Sequence, residues 1–161
     1  MGREEYNKLF DLGIELRDEG TKLKEAGRAL ESASKFHEAI KIFEELYPIE
    51  VQPDKFNKCL LLGGLYNWTG DKQKACEMFK TGVGLNPDSE LASLCLYLAY
   101  VDLDKSDQAI GELARFLNLH PANLYKDTLS ELIGEINSDR LPKYKTKIFH
   151  LAEKNGISLR V

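Results

Sequence analysis

The chain has 161 residues, 43% of them hydrophobic, 30% charged and 9% aromatic, which excludes a disordered polymer, a collagen-like fibre and a disulfide scaffold. Lys and Arg number 22 against 26 Asp and Glu, so the net charge of −4 gives no general electrostatic reason to bind nucleic acid or an anionic membrane. Cys59, Cys76 and Cys95 form no Cys-x-x-Cys pair and stand at no metal-ligand spacing from His37, His120 or His150. Embedded in apolar runs, they read as small core residues in a reducing compartment.

The first residues contain no apolar leader, and Tyr6 stands where a myristoylation signal requires Ser or Thr. No apolar run approaches the ~18–20 residues of a membrane span. The expected setting is therefore cytoplasmic, without membrane contact. Residues 3–19 predict an N-terminal amphipathic helix, either separate from the first repeat or continuous with it through Gly20, with Tyr6, Leu9, Phe10 and Leu16 on one stripe. Pro48, Pro53, Pro87, Pro121 and Pro142 then separate long runs of helix formers, and a proline inside a helix costs about 3 kcal/mol, so these positions mark helix ends or first turns. Ile40, Phe43, Leu46 and Tyr47 form a second stripe, opposed by Glu38, Lys41, Glu44 and Glu45. No segment shows the alternation of a strand, and the predicted class is all-α.

An internal period organises the middle of the chain. Ala39, Ala75 and Ala109 are separated by 36 and 34 residues, and each is followed four residues on by a large apolar side chain, Phe43, Phe79 or Leu113. Pro87 and Pro121 are also 34 apart. Upstream of each alanine, Leu23-x-x-Ala26-Gly27-x-x-Leu30, Cys59-x-x-Leu62-Gly63-x-x-Tyr66 and Ser93-x-x-Leu96-Tyr97-x-x-Tyr100 share one spacing. In this reading Gly27 and Gly63 let first helices approach their partners closely, and the alanines are the matching small residues on the second helices. The period predicts repeats over 20–53, 56–89 and 90–123. Residues 124–161 follow as a capping helix pair, with Pro142 at a helix start and Asn155-Gly156 at a helix end.

These motifs resemble the tetratricopeptide repeat (TPR) family, whose unit is a helix–turn–helix of 34 residues with the signature W-x2-L-G-x2-Y, A-x3-F and P. The middle unit matches best, through Leu62-Gly63, Tyr66, the Gly70-Asp71 turn, Ala75, Phe79 and Pro87. The first unit carries a two-residue insertion, and the third has Tyr97 in place of a glycine. The resemblance covers residues 20–121 and implies a single domain, a right-handed α-solenoid of three hairpins with the N-terminal helix and the capping pair added. It further implies a non-catalytic interaction scaffold that binds a peptide or helix in a concave groove lined by the first helix of each pair. Carried over, the groove residues are Lys24 and Arg28, then Leu60, Gly64, Asn67 and Trp68, then Leu94, Leu98 and Val101.

The groove so read is charged at one end and apolar at the other. The helix Leu91–Val101 is apolar on nearly every side and so predicts burial on nearly every side. Its cover is either the chain's own terminal helices, a partner segment, or a second copy in a homodimer. A clamp for acidic chaperone tails is disfavoured, because only Lys24 fits while Arg28, Leu61, Leu91 and Cys95 replace the other clamp residues. Size, charge and repeat count also resemble bacterial type III secretion chaperones, which hold an apolar client segment, and this is the alternative reading. Residues 140–161 carry a net +5, read as a solvated helix face pairing with acidic surface rather than as a nucleic-acid patch. No phosphate loop, acid pair or metal motif appears, so no catalytic residue, metal or cofactor is expected.

Overall fold

A computed structural model describes residues 1–49 and 54–159. Pro53, the end of the expected first repeat, and Arg160 of the basic stretch lie outside the described residues. The described residues form eight α-helices: α1 Arg3–Glu25, α2 Ala29–Leu46, α3 Asp54–Thr69, α4 Lys72–Leu85, α5 Glu90–Asp102, α6 Ser106–Leu119, α7 Tyr125–Asn137 and α8 Lys145–Lys154. A 3-10 turn, Pro142–Tyr144, leads into α8, and the described residues contain no strand. The class is all-α, as the periodicity predicts. The chain falls into two compact units, Met1–Leu85 and Asn86–Val161.

In the first unit α1 packs on α2, α2 on α3, and α3 on α4; in the second, α5 packs on α6, and α8 on both α7 and α6. The helices thus form four hairpins, each turning on one residue with positive φ: Gly27 (74°), Gly70 (89°), Asp104 (56°) and Asp139 (58°). Immediately after it, Arg28, Asp71, Lys105 and Arg140 each donate their backbone N–H to the carbonyl five residues back, on Leu23, Tyr66, Tyr100 and Glu135, at 2.8–3.0 Å. This left-handed closure satisfies the orphan carbonyls at the end of the first helix of each hairpin.

The turns define a register. Seven residues before each turn stand Gly20, Gly63, Tyr97 and Leu132, and nine residues after it stand Phe36, Phe79, Leu113 and Ile148, all eight of them buried. In unit 1 the members of a pair touch: a Cβ added at Gly63 would lie 2.5 Å from the Phe79 ring, and one added at Gly20 would lie 2.5 Å from the Phe36 ring. The glycines are notches into which the facing ring fits.

This register corrects the sequence reading of the first hairpin. Of the two readings of residues 3–19, the continuous one holds: α1 runs unbroken through Gly20, from Arg3 to Glu25. Gly27 is the turn residue, with open space around it, and Gly20 supplies the close approach instead. Ser32, five residues after its turn, takes the position held by Ala75 and Ala109; it is buried and donates its hydroxyl to the Gly20 carbonyl at 2.8 Å. The first two turns lie 43 residues apart (27 to 70), against 34 (70 to 104) and 35 (104 to 139) for the others. Ala39 offered a spurious alignment because it too is small, buried and followed four residues later by Phe43.

Candidate interaction surface

In unit 2, α5 is fixed along one side by a buried polar network. Ser93 donates its hydroxyl to Glu112 Oε1 at 2.6 Å and accepts from the Tyr125 hydroxyl at 2.9 Å, linking α5, α6 and α7. Arg115 donates to both Glu112 oxygens, at 2.9 and 2.8 Å, and to the Pro87 carbonyl. Burial pushes the Tyr125 phenol well above its ordinary range, so it stays a neutral donor. Glu90, at the start of α5, accepts from the backbone N–H groups of Asn123 and Tyr125 and thereby caps the start of α7. A paired buried charge holds position as long as every member is satisfied. Sequence reasoning placed Ser93 in the repeated spacing but gave Glu90, Glu112, Arg115 and Tyr125 no role, because a Glu or Arg on a helix ordinarily reads as surface.

With Ala92, Ser93, Leu96, Tyr97 and Ala99 facing inward, the opposite side of α5 is left open. Leu91 and Leu98 are each 50% exposed and Val101 is 46% exposed; Leu94, on the same stripe, is partly buried against the unit 2 core. The expectation of a helix buried on nearly every side is therefore corrected. The spacing 91, 94, 98, 101 makes one continuous apolar ridge, and neither α7 nor α8 covers its exposed members. Of the predicted groove residues, Leu94, Leu98 and Val101 are brought together here.

The unit 1 residues have different situations. Lys24 and Trp68 meet: the ammonium lies 5.6 Å from the ring centroid, and with Thr21 and Glu25 they line a shallow hollow of about 370 Å³. Trp68 is 42% exposed and leans on Phe36 at 5.0 Å between ring centroids. Arg28 is not on the first helix; it precedes α2 and forms an exposed ion pair with Glu31, whose hydrogen bond raises its pKa. Leu60 is half-buried, and its Cδ2 would lie 3.5 Å from a Cβ added at Gly82, so it packs toward α4. Gly64 has open space beside it and Asn67 is exposed.

The basic C-terminal stretch is partly paired. Arg140 bridges Glu135, Lys143 bridges Asp107, and Lys154 donates to the Leu117 and Asn118 carbonyls at the end of α6. Among the described residues no three His, Cys, Asp or Glu side chains could hold one metal ion. Burial pushes the Cys59 and Cys95 thiols up, away from the nucleophilic thiolate. Among the described residues no helix is long and apolar enough to cross a membrane. No protein-family model matches this chain, and no curated protein matches it.

Proposed function

We propose that the chain is a non-catalytic interaction module of TPR type, binding a helical or extended peptide whose apolar side chains cover Leu91, Leu98 and Val101 on α5. The observation that carries this reading is the open apolar ridge on a helix whose other side is tied down by Ser93 and its buried partners. Fully burying a leucine is worth about 1.5–3 kcal/mol, so a peptide that covers the exposed halves of Leu91 and Leu98 gains roughly 1 kcal/mol from each. Support for the family assignment comes from the two turns 34 residues apart (70 to 104), the Gly63 notch filled by Phe79, and the shared hairpin closure. A cytoplasmic setting accords with three free cysteines.

The test selects peptides on the wild-type chain from a random-peptide display library and measures their affinity for Leu98→Glu and Lys24→Glu. The expected result is loss of binding by at least tenfold in L98E, with an unchanged melting curve, and little effect of K24E. Equal binding to wild type and L98E would refute the ridge as the site. Sedimentation of the two proteins checks the other occupant: a wild-type dimer that L98E converts to a monomer would mean that a second copy covers the ridge.

A further inference from the structure

Val101, the last residue of the ridge, is also a wall of a cavity of about 410 Å³ in unit 2, bounded by α5, α6, α7 and the segment before α8. That volume lies within the ~300–1,000 Å³ range of ligand pockets. Val101, Ile110, Leu132 and Leu141 supply apolar walls, and Glu131 and Glu135 supply carboxylates. The two carboxylates are not equivalent. Arg140 Nε sits 2.6 Å from Glu135 Oε2 and neutralises it. Glu131 is exposed and has no hydrogen-bond or ion-pair partner among the described residues. The cavity therefore joins an aliphatic lining to one uncompensated negative charge, and it opens beside the apolar ridge through the residue they share.

We infer that this cavity receives a lysine or arginine side chain of the bound peptide, its aliphatic stem against Val101, Ile110 and Leu132 and its cationic head at Glu131. The inference rests on the reading of α5 as the peptide-binding ridge, which brings a partner's neighbouring side chain to the mouth of the cavity. Long basic side chains are suited to such a place, because their stems bury on apolar surface while their heads stay at a wet carboxylate. An acidic side chain would meet Glu131 unpaired, and a purely apolar one would leave that charge partly desolvated with no partner. The site thus selects by charge where the ridge selects only by hydrophobicity.

The experiment runs the same display library on wild type, Glu131→Gln and L98E in parallel, using the full chain. Wild type should enrich peptides with one basic residue at a fixed distance from the apolar anchors. The E131Q pool should keep the anchors and lose the basic preference. In a selected peptide, changing that Lys to norleucine should weaken binding to wild type about fivefold and to E131Q less than twofold, the size expected of a partly exposed ion pair. Apolar anchors without a basic position in the wild-type pool, or a basic preference that persists in E131Q, would overturn the cavity assignment while leaving the ridge intact. Enrichment that L98E leaves unchanged would overturn the ridge, and the cavity assignment with it.

Discussion

Replacing Gly63 with alanine isolates the contact that lets α3 and α4 close on each other. The added Cβ would stand 2.5 Å from Cε1 and 2.7 Å from Cδ1 of Phe79, against the ~3.5–4 Å of an ordinary carbon contact. Phe79 is buried, so its ring can retreat only by displacing neighbours, and overpacking of this kind costs roughly 1–3 kcal/mol. Alanine's better helix propensity returns about 1 kcal/mol. The net expectation is a loss of roughly 0–2 kcal/mol. Gly64 is the internal control, being the next residue on the same helix with nothing within 4 Å of its added Cβ. Gly64→Ala should collect the propensity term alone and stabilise by about 1 kcal/mol. The two variants should therefore lie about 1–3 kcal/mol apart. Urea unfolding followed by the fluorescence of Trp68 reads both, because the single tryptophan lies on α3 itself. Shrinking the ring with Phe79→Leu should reduce the cost of G63A by about 1 kcal/mol in a double-mutant cycle. If G63A stabilises as much as G64A, the ring does not occupy the Gly63 notch and the hairpin argument fails.

Two further perturbations probe buried groups. Lys58 is fully buried and donates to the Leu46 and Ile49 carbonyls at 2.7 Å each, closing the end of α2; Lys58→Met keeps the stem but takes the ammonium donor from both carbonyls, leaving that of Leu46 only the Ile49 N–H at 3.1 Å, and should cost about 2 kcal/mol in the same unfolding assay, and a neutral result would contradict that role. Burial, and after it the charge of Glu131, pushes the Tyr97 phenol up to about 12 from its ordinary ~10. A folded-state pKa raised in this way adds stability that is complete below pH ~10 and disappears as pH rises toward 12, so wild type should lose about 2 kcal/mol more than Tyr97→Phe between pH 9 and 12 by circular dichroism; parallel losses would show that Tyr97 titrates as freely in the fold as out of it.

The sequence carries the all-α class and the middle hairpin openly, because Gly63, Gly70 and Phe79 together spell a small notch, a left-handed turn and a ring that fills the notch. It carries the first hairpin less openly. Ala39 and Gly27 mimic the expected pattern at a spacing of 36 (Ala39 to Ala75), while the true equivalents, Gly20, Ser32 and Phe36, lie at 43 from theirs. The separations of seven and nine residues in Gly20–Gly27–Phe36 repeat in Gly63–Gly70–Phe79, and that internal spacing was the available signal. The third and fourth hairpins use Asp104 and Asp139 at the turn, where aspartate tolerates the left-handed region that otherwise selects glycine, so no glycine marks them. Leu94, Leu98 and Val101 were legible as one apolar face, but whether that face was covered depends on where α7 and α8 pack, which periodicity does not encode. Lys58, Glu112 and Glu131 were invisible for the opposite reason: a charge on a helix is ordinarily solvated, and only tertiary neighbours distinguish the one that caps, the one that locks and the one left unpaired.

The most direct measurement is an amide chemical-shift map of the isotopically labelled chain titrated with a display-selected peptide. The account predicts that the largest shifts fall on residues 91–102 of α5 and on 131–144 around Glu131. Shifts concentrated instead around Thr21, Lys24 and Trp68, with α5 silent, would contradict it.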